Sequence, residues 1–123
     1  MSRPADMLPG TLRQIADSAG DEAALTIAME RGGSRLEIPK KAEGSLLETL
    51  VGIDAARAIV NDLAGERFDV PLAKRALNAW LRAKGWPQSR RAVALKAGAR
   101  TIKYWDADAM QSIRQGNLFG ADF

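Results

Sequence analysis

Apolar positions in the first half of the chain recur at helical spacing. Leu12, Ile15, Ala16 and Ala19 precede Ala23, Ala24, Ile27 and Ala28, and together they mark one stripe of an amphipathic helix. A second stripe has Leu46, Leu47, Leu50 and Val51, followed by Ala55, Ile59, Val60 and Leu63. Each stripe runs into a glycine, Gly33 or Gly65, which suits a helix carboxy-terminal cap because a left-handed backbone costs glycine little. The period then drops to two. Arg35-Leu36-Glu37-Ile38 and Arg67-Phe68-Asp69-Val70 alternate polar and apolar, the pattern of a half-buried strand. Pro39 and Pro71 end these strands by removing a ladder donor.

The two halves of that pattern are copies. Gly20–Pro39 set against Gly52–Pro71, with an offset of 32 and no gap, gives seven identical positions of twenty. The glycines and prolines are among them (Gly20/Gly52, Gly33/Gly65, Pro39/Pro71), as is Arg35/Arg67. Leu36/Phe68, Glu37/Asp69 and Ile38/Val70 keep their chemistry. A lone four-residue strand is unstable, so the two copies are expected to pair their strands with each other or with a second chain.

Beyond Pro71 the pattern predicts three short helices. The first spans Pro71–Leu81, with Leu72, Arg75, Ala76, Ala79 and Trp80 near one stripe, and Gly85 closes it. In the second, Arg90–Ala97, Val93, Ala94 and Ala97 turn inward and Ser89 is placed to cap the amides. Gly98 breaks that helix, Thr101 is placed to cap the third, and Ile102, Trp105, Ala109 and Ile113 continue at helical spacing. Helices joined by a glycine turn form a helix-turn-helix pattern. The outward side of the last helix would then present Arg100, Thr101, Lys103 and Tyr104 to a groove, with Arg90, Arg91 and Lys96 placed for phosphates. Trp80, Trp86 and Trp105 are expected to pack rather than to stack on bases.

Charge sharpens this picture. Val70 to Trp105 holds nine bases (four Lys and five Arg) and no acid, leaving nine bases against all fifteen acids elsewhere. Surfaces of soluble proteins usually intersperse the two signs, so a 36-residue stretch without Asp or Glu points to a polyanion, most simply nucleic acid. The chain has no Cys and no His. Disulfides, thiolate or imidazole metal sites and histidine-based catalysis are thereby excluded. Glu30, Glu37, Glu48, Asp62 and Asp69 could supply a carboxylate pair, but their places on helix faces and strand surfaces read as solvated, and no catalytic residue, cofactor or metal site is expected. No apolar run reaches the roughly 18–20 residues of a spanning helix, and the first residues lack the apolar core of a secretory signal, so a cytoplasmic protein without a membrane partner is expected.

The segment LVGIDAARAIVNDLAGERFDVP, followed by an Arg/Lys-rich helix-turn-helix, resembles the Mor (middle operon regulator) and phage C-type family of transcription activators. The resemblance covers roughly Leu46–Trp105. It implies a dimerisation segment of helix, Gly-x-Arg and short strand ending in proline, then a DNA-binding head. It also implies that Gly65 and Arg67 lie where that family brings its glycine-strand region against DNA, and that Arg90 through Lys103 hold the reading helices. The extra copy at Gly20–Pro39 and a short turn between Gly98 and Ile102 depart from that pattern.

The expected fold is mainly α with short β-strands: a flexible arm at 1–11, a duplicated helix-strand domain at 12–71, a helix-turn-helix domain at 72–115 and a tail at 116–123. The expected function is a transcription regulator of phage or prophage origin that binds double-stranded DNA, with RNA polymerase as a further partner, as a homodimer or an intrachain pseudo-dimer. The alternative is a phage structural or interaction protein that oligomerises through the repeat and meets nucleic acid or an acidic protein through its basic part. The tail residues Phe119 and Phe123 are read as either disordered or docked on a neighbour.

Overall fold

A computed structural model describes residues 7–108. Along them run α1 (Gly10–Ala19), α2 (Asp21–Arg31), β1 (Arg35–Glu37), α3 (Leu46–Val51), α4 (Ile53–Leu63), β2 (Arg67–Asp69), α5 (Lys74–Ala83) and α6 (Gln88–Leu95). A last helix, α7, occupies 99–108. The fold is mainly α with one two-stranded antiparallel ribbon. The chain divides into two compact units, one ending at Ala73 and the other beginning at Lys74.

The 32-residue repeat is reproduced element by element in the first unit. α2 and α4, and likewise β1 and β2, are offset by the repeat length. Helix α1 does not continue into α2 as one stripe. Gly20 interrupts it with φ +99 and ψ 160, and Gly52 interrupts the second copy with φ +87 and ψ 164. That backbone region is open to glycine almost alone, which accounts for the paired glycines. The short α3 starts with a side-chain cap that the apolar pattern does not reveal: Ser45 Oγ accepts from the Glu48 N–H (3.2 Å), and Glu48 Oε2 accepts from the N–H of Gly44, the residue before the cap (2.6 Å).

The strands of the two copies pair within the chain, in the register Arg35↔Asp69, Leu36↔Phe68 and Glu37↔Arg67. Phe68 is the repeat counterpart of Leu36, so a local two-fold axis passes through that central pair. The flanking bonds obey the same axis. The Gly33 N–H donates to the Val70 carbonyl (2.8 Å) and its counterpart Gly65 N–H to the Ile38 carbonyl (2.9 Å); the Val70 N–H donates to the Ser34 carbonyl and the Ile38 N–H to the Glu66 carbonyl, both 2.8 Å. Across the copies α1 packs on α4 and α2 on α3. Leu12, Ile15, Leu25, Ile27, Ile38, Leu47, Ile59 and Val70 are sealed from solvent, each such burial being worth about 2 kcal/mol. Residues 7–11, expected in a flexible arm, differ from that expectation. Leu8 is buried and α1 starts at Gly10, because Leu8 extends the apolar series that Leu12 and Ile15 continue.

In the second unit the helices form where expected but present other faces. The first begins at Lys74, not Pro71, since Val70 is still tied into the ribbon and Ala73 adopts φ +47. Its buried face is therefore Ala76, Leu77, Asn78 and Leu81, while Leu72 is exposed. The next helix starts two residues earlier than expected, directly after Pro87, so that Ser89 lies within it and no side chain caps its first amides. It buries Arg91 and Leu95 and leaves Val93 81% exposed, where Val93 was expected inside. Ala109, Ile113 and the tail lie outside the described residues. Among the described residues no helix is long and apolar enough to cross a membrane.

Candidate nucleic-acid interface

The turn between α6 and α7 comprises residues 96–98. Its left-handed residue is Lys96 (φ +52, ψ 43), not Gly98. The Lys96 N–H donates to the Val93 carbonyl (3.2 Å) and the Ala97 N–H to the Ala92 carbonyl (3.0 Å), which is the Schellman closure of a helix. Gly98 instead opens α7, its carbonyl accepting from the Ile102 N–H (3.1 Å). Thr101 is thus inside the helix rather than its cap. A three-residue turn fits a helix-turn-helix connection. The shortness read between Gly98 and Ile102 arose from assigning the turn to Gly98.

Two faces of α7 have opposite characters. Ile102 is fully buried and Trp105 half-buried, whereas Arg100, Thr101, Lys103, Tyr104 and Ala107 are exposed. Residues 100, 103, 104 and 107 follow the i, i+3, i+4, i+7 spacing of one helical stripe. Arg100 and Lys103 have no carboxylate partner among the described residues, and neither does Lys96 at the turn.

Arg91 departs from its expected place on a phosphate-facing surface. Its side chain is only 6% exposed and reaches Asp106 on α7 through Nη1 at 2.8 Å and Nη2 at 3.2 Å. It also donates to Asn78 Oδ1 (2.7 Å) on α5 and to the Trp86 carbonyl (3.1 Å). Asn78 Nδ2 and Gln88 Nε2 donate to the same Asp106 carboxylate, at 2.9 and 3.3 Å. Burial raises the Asp106 pKa, but the hydrogen bonds from Arg91, Asn78 and Gln88 together with the Arg91 charge outweigh it, and the carboxyl sits below its ordinary range. The network joins α5, α6 and α7 at one carboxylate. Nothing in the charge count distinguishes Arg91 from its neighbour Arg90; the available signal was Asp106 itself, the first acid after the acid-free stretch. Asp108 similarly neutralises Arg75.

Arg90 is exposed and lies over Trp86, with its guanidinium carbon 3.7 Å from the ring centroid. Lys84 sits 4.6 Å above Trp80. These half-buried rings thus pack against cations four residues further along the chain.

Gly65 and Arg67 belong to the other unit. Gly65 takes φ +83 beside the ribbon, and Arg67 Nε is 3.7 Å from Glu37, with both side chains exposed. Its two-fold counterpart is the Arg35–Asp69 pair at 3.6 Å. The carboxylates of Glu37, Asp69 and Glu48 are thus occupied with arginines or a helix cap, and among the described residues no group of three or more Asp or Glu is placed to hold a metal ion. No family model matches the chain, and neither does a curated protein or a solved structure.

Proposed function

We propose that the protein is a DNA-binding transcription regulator, of phage or prophage origin, that lays α7 in the major groove. The observation carrying this reading is the outward stripe of α7: Arg100, Lys103 and Tyr104, with Thr101 beside them, are exposed while the two carboxylates of its described residues, Asp106 and Asp108, are taken by Arg91 and Arg75. Guanidinium and ammonium groups on such a stripe suit guanine O6 and N7, each good pair contributing about 1–3 kcal/mol of discrimination. Lys96 and Arg90 flank it as phosphate contacts, and Arg91 makes no contact with DNA but holds α7 through Asp106. The resemblance to Mor-type activators would add Gly65 and Arg67; because Arg67 already has Glu37 as a partner, its removal is expected to cost less affinity than removal of Lys103. RNA polymerase is the further partner this reading implies. The assembly alternative rested on the duplication, whose strands already have each other.

The test is a titration into labelled duplex DNA, comparing random sequence with DNA upstream of the protein's own operon at several salt concentrations. Log K should fall with log salt by about 0.9 per phosphate neutralised. Arg100→Ala or Lys103→Ala should relax sequence preference, whereas Lys96→Ala should weaken all sequences alike. Absence of binding even at low salt would sink the reading.

A further inference from the structure

Helix-turn-helix proteins commonly bind as symmetric dimers, and their operators repeat the protein's two-fold axis as two inverted half-sites about 10 base pairs apart. This chain has a two-fold axis already, and it is internal. Strand register, four flanking backbone bonds and two cross-strand ion pairs all map onto themselves under the 32-residue offset. On the apolar side of the ribbon Leu36, Ile38 and Val70 are buried, and Phe68, opposite Leu36, is half-buried. What is not duplicated is the basic part. After β2 the chain passes Pro71 and enters α5, whereas at the equivalent point after β1 it passes Pro39 and returns through residues 40–45 to α3. Two copies of the pairing unit therefore serve one copy of α5–α7.

From this asymmetry we infer that one chain occupies one DNA site and that the sequence it selects is not an inverted repeat. The inference rests on the nucleic-acid reading above and adds the class of site. The two strands pair with each other rather than with a second chain, so on this inference one α7 contacts one segment of major groove. Affinity then comes from one set of phosphate contacts, without the doubling that a symmetric dimer supplies.

The strand register offers a direct test, because the chain has no cysteine. Bonds at Val70–Ser34 and Ile38–Glu66 mark hydrogen-bonded positions, so alternation makes Arg35↔Asp69 and Glu37↔Arg67 non-hydrogen-bonded pairs. Their Cα atoms stand about 4.5 Å apart, within disulfide range. Full-length Arg35→Cys/Asp69→Cys, and independently Glu37→Cys/Arg67→Cys, should oxidise to a product with the mass of one chain. Sedimentation equilibrium of the unaltered protein should give the same mass. Selection from a random duplex pool should return a motif without inverted symmetry, bound by one chain. Joining two copies of that motif head to head should bind two chains with no gain in affinity per copy.

A cross-linked product of doubled mass, or a selected consensus with two inverted half-sites, would overturn the inference. If the free protein is one chain and cross-links within itself yet retains no duplex, the nucleic-acid reading fails and the inference falls with it. If duplex is bound with steep salt dependence but as a palindrome, the inference alone fails.

Discussion

Replacing Asp106 by Asn keeps the shape of the side chain and removes its charge. Arg91 would then be a buried cation, 6% exposed, whose only carboxylate has gone. Breaking a buried pair from one side costs about 3–5 kcal/mol, and the 16% exposure of the Asp106 side chain places this case at the lower end, near about 3 kcal/mol. The unfolding constant should rise roughly 150-fold, and the midpoint should fall by about 12–24 °C at about 4–8 °C per kcal/mol. Urea unfolding followed by tryptophan fluorescence is the appropriate assay, because Trp80, Trp86 and Trp105 all belong to the unit that begins at Lys74. A cycle completes it: Arg91→Met with Asp106→Leu should recover most of the loss only when Asn78→Leu is added, since apolar replacement of a buried pair is commonly neutral or stabilising but the pair alone would leave the buried Asn78 amide without partners. Acid gives an independent readout. The folded-state pKa of Asp106 lies below its unfolded value of about 3.9, so its contribution is complete above that pH and is lost as pH falls through the folded value. Asp106→Asn should lack that acid-dependent component. A variant within 0.5 kcal/mol of the parent, on the scale of about 0.5 kcal/mol for ordinary surface changes, would refute the reasoning.

Other expectations follow from single residues. Gly52→Ala should destabilise by about 1–3 kcal/mol in circular-dichroism melts although a Cβ meets nothing within 4 Å, because the cost lies in φ +87. Gly20→Ala should match it. Val93→Ala, on an exposed position, should change stability by less than about 0.5 kcal/mol, whereas Leu95→Ala should cost about 2–5 kcal/mol; the opposite order would show that α6 presents a different face. Lys96→Gly should raise stability by about 1 kcal/mol by relieving the left-handed backbone, yet reduce the DNA salt slope by about 0.9 if the ammonium lies on a phosphate. Equal affinity and slope in that variant would remove Lys96 from the interface.

How far the residues alone revealed these features depends on what specifies each one. The ribbon was legible because two signals agree: alternation over Arg35–Ile38 and Arg67–Val70, and a repeat that makes each strand the other's counterpart. The residues did not decide whether the strands pair within or between chains, nor in which register, because every antiparallel register of a strand with its own copy is two-fold symmetric; the pairing Leu36↔Phe68 within the chain decides both. The break at Gly20 was hidden because the apolar positions on either side of it stay in helical phase, and a stripe alone does not show that the backbone has left the helix between them. The faces of α5 and α6 were misread for a related reason. Over eight to ten residues rich in Ala, a shift of one position moves the stripe by about 100° and changes few apolar matches. The polar residues decided the phase. Asn78 and Arg91 sit at buried positions because they complete one another around Asp106, and an apolar pattern counts them as outward by construction.

The same network constrains the proposed site. Asp106 follows Tyr104 by two positions, nearly opposite on the helix, so pulling its carboxylate onto α5 and α6 turns Tyr104 away from them, while Lys103, three positions before Asp106, lies only about 60° from it. Ile102 enforces the same rotation from the apolar side. The acid-free run of bases did not show which of them reach solvent: Arg90, Lys96, Arg100 and Lys103 are exposed, whereas Arg91 is buried. The cationic stripe depends on one buried arginine that the run had counted among the exposed. Disrupting Arg91 should accordingly lower DNA affinity through loss of the α7 orientation, with conservative Arg91→Lys restoring folding only in part, because a single ammonium cannot span both Asp106 oxygens as the guanidinium does. If Arg91→Lys kept full stability but lost DNA binding in proportion to one phosphate contact, Arg91 would belong to the interface rather than to the core.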